Sequence, residues 1–426
     1  MGRILERAEQ CWSGGVEPRE FWKATGEVEE IASGVFFVHA FANVTVVRAG
    51  RGLVLVDTAN YVGRDRTFAA VRAIDPGPLH AAIYTHGHAD HAFGLPPFLA
   101  EAAGKGWPRP RIVGHRSVAA RFDRYRATLG YNGLINARQF SIAASWPTEY
   151  DYPDTVYDQA LRLDTDGVAL ELQHARGETD DATWVWWPER RILWTGDLFI
   201  WVAPNAGNPQ KVQRYAAEWA GALREMAARG AELLIPGHGM PIVGAERVRQ
   251  ALTDTAAWLE ALVSQTLALM NAGATLEEVL RSVRPPADLA ERRYLQAVYD
   301  EPDFVVRNLW RLYGGWYDGA PAHLKPAPEA ELGREVITLA GGIDGLIARA
   351  RALAAEGRLA LAGHLIDWAV AAEPGHRDAH AARARIYERR AEDARALMTR
   401  GIFSATARES AEKFRDPLSP QGRGPG

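Results

Sequence analysis

The sequence predicts an α/β layered domain followed by an all-helical region, and three observations support this prediction. Short β-rich segments alternate with helical ones over about the first 245 residues. From there to about residue 410, apolar residues recur at helical spacing. The length of 426 residues is more than one ordinary hydrophobic core fills. We therefore expect domains at 1–245 and 246–410, with a Pro/Gly-rich disordered tail at 411–426.

The first half contains strand-length segments that end in turn-forming residues. Three early strands are predicted in GVFFVHAF, NVTVVRAG and GLVLVDTA. RTFAAVRAI then predicts a helix, HAAIYTHGH a strand that runs into a loop, and RIVGHRSVAARF a strand followed by a helix. Later strands are predicted in VALELQHA, in a hairpin that turns at Pro188, and in AELLIPGHG. Strands interleaved with helices in this way indicate sheets covered by helices.

The second half opens with one long amphipathic segment. Its apolar residues recur at helical spacing from Val248 to Leu267, and the pattern stops at an Asn-Ala-Gly cap signal at 271–273. Thr275 and Glu278 then have the spacing of a capping box. Residues 351–388 are similar to one tetratricopeptide-like helix pair, which occurs once, so no solenoid is predicted.

Composition argues against several classes of protein. The net charge of −4 and the absence of a basic stripe predict no nucleic-acid partner. Cys11 is the only cysteine, which excludes intramolecular disulfides and disfavours thiolate metal sites. No apolar run has the length of a membrane span, and the N-terminus lacks the apolar core of a signal peptide. We expect a cytoplasmic protein with no membrane partner.

The segment THGHADH at 85–91 is the strongest chemical signal in the chain. It carries His86, His88, Asp90 and His91 in a loop directly after an apolar strand. Imidazole and carboxylate ligands suit Zn²⁺, with Fe or Mn as alternatives. The competing interpretation is a polar loop with incidental histidines, which three histidines and an aspartate in this order disfavour.

This H-x-H-x-D-H run resembles the signature of the metallo-β-lactamase superfamily, over about the first 245 residues. The resemblance implies an αβ/βα sandwich with a two-metal site at one edge. It also implies that Asp197, in ILWTGDLF, bridges the metals and that His238, in IPGHGMP, is a ligand. Asp57, in LVLVDT, matches a buried acid beside the ligands, although it could instead be a turn residue that ends its strand.

The ligand slot between these motifs has two candidates. When HARGETDD is aligned on Gly177, Thr179 and Asp181, Glu178 occupies the position of the superfamily's usual histidine. His174 lies four residues earlier and is the alternative. The alkyl sulfatase branch of the superfamily places an acid in this slot, which favours Glu178. The resemblance then implies one metal held by His86, His88 and Glu178, a second held by Asp90, His91 and His238, and Asp197 between them.

A second resemblance covers the helical half. The motif RNLWRLYGGWYDGAPAHL, within residues 292–326, is similar to the alkyl sulfatase dimerisation domain, and this implies a homodimer. RYRATLGYN at 124–132 resembles a loop of the same family and makes Tyr131 a candidate substrate residue. The family's sulfate-binding His-Asn…Arg-Gly stretch is not matched in full. The candidates there are Asn205, Lys211 and Arg214.

These observations predict a hydrolase with two Zn²⁺ ions, in which Asp90 and Asp197 take catalytic positions. We expect it to cleave an alkyl sulfate or a related small-molecule ester with a metal-activated water. A lactonase or thioesterase is the first alternative, and an iron-dependent redox protein is the second. A non-catalytic scaffold built on the helical half is a third, which the complete ligand set disfavours.

Overall fold

The computed structural model describes residues 2–15, 20 and 22–414. Of the tail predicted at 411–426, residues 415–426 lie outside this part of the chain. The thirteen strands are β1 (Val28–Ala32), β2 (Val35–Val38), β3 (Val44–Ala49), β4 (Gly52–Val56), β5 (Leu79–Ile83), β6 (Arg111–His115), β7 (Thr155–Tyr157), β8 (Ala160–Thr165), β9 (Val168–Ala175), β10 (Ala182–Trp187), β11 (Ile192–Gly196), β12 (Leu233–Pro236) and β13 (Ile242–Val243).

The helices among these described residues fall between and after the strands. They are α1 (Arg3–Ser13), α2 (Arg64–Ile74), α3 (Ala89–Ala92), α4 (Pro96–Lys105), α5 (Ser117–Ala127), α6 (Leu129–Phe140), α7 (Ala216–Ala228), α8 (Ala245–Asn271), α9 (Leu276–Ser282), α10 (Ala287–Ala290), α11 (Pro302–Gly314), α12 (Pro321–Leu324), α13 (Glu329–Leu339), α14 (Ile343–Ala355), α15 (Leu359–Ala372), α16 (Arg377–Asp393) and α17 (Leu397–Glu412).

The strands form two sheets. The first contains β1 to β7 in sequence order, antiparallel from β1 to β4 and parallel from β4 to β7. The second has the order β13-β12-β11-β10-β9-β8 and is antiparallel except for the parallel pair β11 and β12. Parallel pairs place their carboxyl ends at the same edge, so the loops after β4, β5, β11 and β12 come together there.

Side-chain alternation along the strands creates the layers. In β4, Val54 and Val56 belong to a core shared with the second sheet, whereas Leu53 and Leu55 belong to a core on the opposite face. A strand that is buried on both faces has a continuous apolar sequence, and β4 has such a sequence. The αβ/βα sandwich predicted from the sequence is confirmed.

The chain divides into two compact units. The first contains residues 1–132 and 146–316, and the second contains 133–145 and 317–426, within the limits of the described residues. The second unit has its own core of helical residues, among them Leu346, Ile366 and Ile386. The domain limits at residues 245 and 410 stay a prediction.

Several local predictions are confirmed at residue level. The hairpin at Pro188 is present, with a 3₁₀ turn between β10 and β11. Both hydrogen bonds of the Thr275–Glu278 capping box are formed. Helix α1 was not predicted, because its charged residues obscure the buried stripe of Ile4, Ala8 and Cys11. Among the residues described, none of the helices combines the length and apolarity that a bilayer span requires.

Candidate metal centre

The predicted ligands lie in loops at the carboxyl ends of the strands. Asp57 follows β4, the THGHADH loop follows β5, Asp197 follows β11 and His238 follows β12. Glu178 lies in the turn between β9 and β10. Backbone hydrogen bonds tie these loops together, since Thr183 N donates to Thr85 O at 2.7 Å and Gly237 N donates to Gly196 O at 2.9 Å.

Seven of the predicted side chains form two groups that could each hold a metal ion. Within each group the donor atoms lie within 4.8 Å of one another. The first group is His86, His88, Glu178 and Asp197, and the second is Asp90, His91 and His238.

Asp197 connects the two groups. Its Oδ2 lies 3.7 Å from His86 Nε2 in the first group and 3.5 Å from His238 Nε2 in the second. Its Oδ1 lies 3.3 Å from His91 Nε2. The oxygens of this one carboxylate therefore contact ligands of both groups, which is the geometry of a bridging ligand.

The structure separates the two candidates in HARGETDD. Glu178 is 4% exposed and belongs to the first group. His174 lies on β9, where its ring stacks on His115 with centroids 3.6 Å apart. Its Nδ1–H donates to the Ala182 carbonyl at 3.0 Å. His174 is therefore engaged in packing outside both donor groups.

Glu178 is surrounded by cationic and amide groups. Arg214 donates from Nη1 to the Glu178 carbonyl at 2.8 Å and forms an ion pair with its carboxylate. Asn205 Nδ2 also donates to that carboxylate. Burial raises the pKa of Glu178 to about 8, while Arg214 acts in the opposite direction. Asn205 and Arg214, predicted to contact substrate, thus both contact a predicted ligand; their role in substrate binding stays a prediction.

Asp57 holds the first motif in place. Its Oδ1 accepts from Thr85 N and its Oδ2 accepts from Thr85 Oγ1, both at 2.8 Å. His91 Nδ1 lies 2.7 Å from the same Oδ2, which directs His91 Nε2 toward Asp197. Asp57 has φ of 58°, a left-handed conformation that is uncommon outside glycine and asparagine-like residues. This geometry is that of a carboxylate that orients a ligand histidine.

His238 is oriented by backbone groups. Its Nδ1–H donates to the Phe41 carbonyl, which can only accept, so Nε2 is left to face Asp90 and Asp197. Asn43 Nδ2 donates to the carbonyls of Pro236 and Gly239 on either side, at 3.1 and 2.8 Å.

Gly237 permits a close approach in the same loop. A Cβ at this position would lie 2.2 Å from Asp197 Oδ1, so any larger residue would displace the connecting carboxylate.

Arg121 is a residue of this centre that the sequence analysis missed. It is 2% exposed, its Nε donates to Asp181 Oδ2 at 2.8 Å, and it also pairs with Asp180. Asp181 in turn accepts from Gly87 N at 3.0 Å, within the THGHADH loop. The sequence signal that could have identified it is helical spacing, because Arg121 falls on the same buried face of α5 as Val118, Phe122 and Tyr125.

The remaining two substrate candidates differ in position. Burial and Arg214 lower the pKa of Lys211 to about 8, and the carboxylates of Asp90 and Glu178 act against them. Lys211 is therefore influenced by one carboxylate from each donor group. Tyr131, in contrast, is 59% exposed on α6.

The donor atoms have the environment that a bound cation requires. Among the described residues, His91 Nε2, Glu178 Oε2 and Asp197 Oδ1 are buried without a hydrogen-bond partner. Buried polar atoms in proteins are normally satisfied, so three unsatisfied ligand atoms within these two groups fit metal ligation. Despite burial, Asp197 raises the pKa of His238 to about 10.

Known protein families match both halves of the chain. The metallo-β-lactamase superfamily pattern matches residues 39–238, and the alkyl sulfatase dimerisation pattern matches residues 275–413. A linear primary-alkylsulfatase from Pseudomonas sp. is 28% identical over 351 residues, which are 77% of this chain and 64% of that protein. An (R)-specific secondary-alkylsulfatase from Pseudomonas sp. is 28% identical over 400 residues, 86% of this chain and 60% of that protein. The chain thus spans less than two thirds of the length of these curated relatives.

A solved structure shows the same fold over most of the chain. The stereoselective inverting sec-alkylsulfatase Pisa1 from Pseudomonas sp. superposes with a TM-score of 0.80 at 25% identity, covering 90% of this chain and 65% of that one. The chain thus contains a metallo-β-lactamase superfamily region at residues 39–238, followed by an alkyl sulfatase dimerisation region at residues 275–413.

Proposed function

We propose that the protein is a two-metal hydrolase of a sulfate ester or a closely related anionic ester. The single observation that carries the proposal is the pair of donor groups connected by Asp197. Glu178 is the proposed third protein ligand of the first metal, and His174 is a packing residue. The alkylsulfatase relatives support the choice of sulfate ester as substrate class.

Zinc is the proposed metal, with two ions per chain. Four imidazoles and three carboxylates make a borderline ligand set that suits Zn²⁺. When bound, the two ions lower the pKa of a shared water and stabilise negative charge on the oxygens of the reacting ester.

The chain's own residues prepare the centre in two ways. Asp57 and the Phe41 carbonyl fix the rings of His91 and His238, so that each directs Nε2 at the connecting carboxylate. Of the two proposed catalytic acids, Asp90 has a side chain that is 26% exposed and Asp197 one that is 9% exposed. Asp90 therefore faces the side from which substrate enters.

Lys211 is the proposed partner of the substrate anion. The carboxylates of Asp90 and Glu178, one from each donor group, act on the charge of its ammonium. Arg214 is bound to Glu178, and we assign it to holding that ligand. A lysine ammonium acts as a point charge, whereas an arginine guanidinium donates from a planar fork. A lysine can therefore bind sulfate without fixing the orientation of the anion.

The engagement of Arg214 also favours a second candidate. An enzyme specific for sulfate benefits from a fixed guanidinium fork, and here the buried guanidinium of Arg214 is paired with a protein carboxylate. A lactonase or thioesterase needs no such fork, so it stays the alternative.

The proposed partner is a second copy of the chain, bound through the helical region. Several large apolar side chains there are exposed, notably Trp316 at 68% and Leu339 at 86%. Residues 275–413 match the alkyl sulfatase dimerisation pattern. Burial of exposed apolar surface is the main favourable contribution to such association.

A hydrolysis screen tests the proposed function. Metal-reconstituted protein is assayed with primary and secondary alkyl sulfates, aryl sulfates, lactones and thioesters. We expect sulfate esters to be cleaved, and Lys211→Met to raise KM for them by about tenfold, as loss of one charge-assisted contact implies. Cleavage of lactones with no cleavage of any sulfate ester would reject the first candidate in favour of the second.

A further inference from the structure

Three aromatic side chains from distant parts of the sequence meet beside the second donor group. Trp22 precedes β1, Phe41 lies between β2 and β3, and Tyr299 precedes α11. The Trp22 and Tyr299 rings have centroids 4.6 Å apart, and the Trp22 and Phe41 rings have centroids 6.5 Å apart at 90°. We call these three residues the aromatic wall.

The aromatic wall contacts a proposed metal ligand directly. The Trp22 ring lies 5.2 Å from the His238 ring at an interplanar angle of 30°, and the Phe41 ring lies 5.1 Å away at 68°. Trp22 and Phe41 therefore pack against the ring of a side chain that belongs to the second donor group.

The wall is held in place and remains accessible. Trp22 Nε1 donates to the Ile200 carbonyl at 2.9 Å, which fixes the indole. Phe41 is 36% exposed, and Trp22 and Tyr299 are each partly exposed. Large aromatic surface that is fixed, partly exposed and next to a reaction centre is available to contact a ligand.

Charge is distributed unevenly around this wall. Burial, followed by the charges of Glu178 and Asp90, raises the pKa of Tyr299 well above its usual value, so its hydroxyl adds no negative charge to the wall. The same two carboxylates act on the ammonium charge of Lys211. The centre thus has a cationic group for an anion and an aromatic surface for the organic part of a substrate.

We propose that the aromatic wall of Trp22, Phe41 and Tyr299 binds the organic group of the substrate and selects flat aromatic groups over flexible alkyl chains. This inference rests on the proposed function and adds the substrate's organic group to it. Rings at these separations and angles favour offset or edge-on contact with another ring, which a flexible chain reproduces less well.

The test compares phenyl sulfate with n-hexyl sulfate, which have equal numbers of carbon atoms. For Trp22→Ala and Phe41→Ala we expect kcat/KM to fall about 3- to 10-fold for phenyl sulfate and less than about 2-fold for hexyl sulfate, the range that aromatic pair energies imply. For each substrate, kcat/KM of the variant is divided by kcat/KM of the wild type, which cancels the different reactivities of the phenol and hexanol leaving groups. Trp22→Phe restores most of the preference, which separates a binding role from loss of folding.

Trp107→Ala is the matched control. Trp107 is a partly exposed tryptophan that contacts Lys105 and Arg72. We expect it to leave the phenyl-to-hexyl ratio unchanged.

Calorimetric binding of phenylphosphonate and hexylphosphonate to the metal-loaded protein provides a readout that needs no turnover. If neither sulfate is hydrolysed, while Trp22→Ala weakens phenylphosphonate binding selectively, the proposed hydrolysis is rejected and the proposed binding role of the aromatic wall is retained. If sulfates are hydrolysed, while both variants leave the phenyl-to-hexyl ratios of kcat/KM and of binding affinity unchanged, the proposed binding role of the aromatic wall is rejected and the proposed function is retained.

Discussion

Replacement of Asp57 by asparagine should separate the orientation of His91 from the folding of the domain. The aspartate accepts three hydrogen bonds, two from Thr85 and one from His91, at 2.7 to 2.8 Å. Asparagine has nearly the same shape and tolerates the left-handed backbone of this position. The substitution therefore removes charge and one acceptor without forcing the chain to move.

The expected magnitude follows from those contacts. Loss of a carboxylate that orients a ligand histidine lowers metal affinity by about 10- to 100-fold, or roughly 1.4 to 2.7 kcal/mol. The second donor group, which contains His91, should lose affinity more than the first. A competition titration with a coloured chelator, monitored for two binding steps, measures both affinities in Asp57→Asn and in the wild type.

Asp166→Asn is the control for this titration. Asp166 also has positive φ, at 42°, and lies in the exposed turn between β8 and β9. It should leave both affinities unchanged. Equal affinities for Asp57→Asn and the wild type would refute the role assigned to Asp57.

Three further outcomes are expected. Asn43→Ala removes two buried hydrogen bonds around the His238 loop and should lower the unfolding free energy by about 1 to 3 kcal/mol, measured by urea denaturation; no loss would contradict the contacts described. Burial lowers the pKa of His174 and of His115, so the stability they contribute is present above the unfolded pKa near 6.5 and is lost as pH falls from there through the lowered pKa of the folded state. The melting temperature of His174→Asn should accordingly fall less than that of the wild type between pH 7.5 and pH 5.5, and parallel curves would contradict this. Leu339→Asp places a charge on an exposed apolar position and should shift the protein toward monomer in light scattering, whereas Lys105→Asp, at an exposed position outside residues 275–413, should not.

The two donor groups were largely predictable because their motifs are local in sequence. His86 to His91 lie within one loop, and the strands that precede Asp57, Asp197 and His238 are short apolar runs that the sequence marks clearly. The topology then brings these loop ends to one edge.

The residues that were missed depend on contacts between distant segments. Arg121 meets Asp181 across 60 positions, and Asn43 meets Gly239 across 196. Trp22 and Tyr299 are separated by most of the chain, and nothing local marks either as a neighbour of His238. The grouping of residues 133–145 with the second unit is a long-range property of the same kind.

The central claim is that two metals are held with Glu178, and not His174, as a ligand of the first. The most direct measurement is metal content by mass spectrometry after exhaustive dialysis, for wild type, Glu178→Gln and His174→Asn. The proposed site predicts about two zinc ions per chain in the wild type and in His174→Asn, and about one in Glu178→Gln. Two ions in Glu178→Gln together with one in His174→Asn would contradict the assignment.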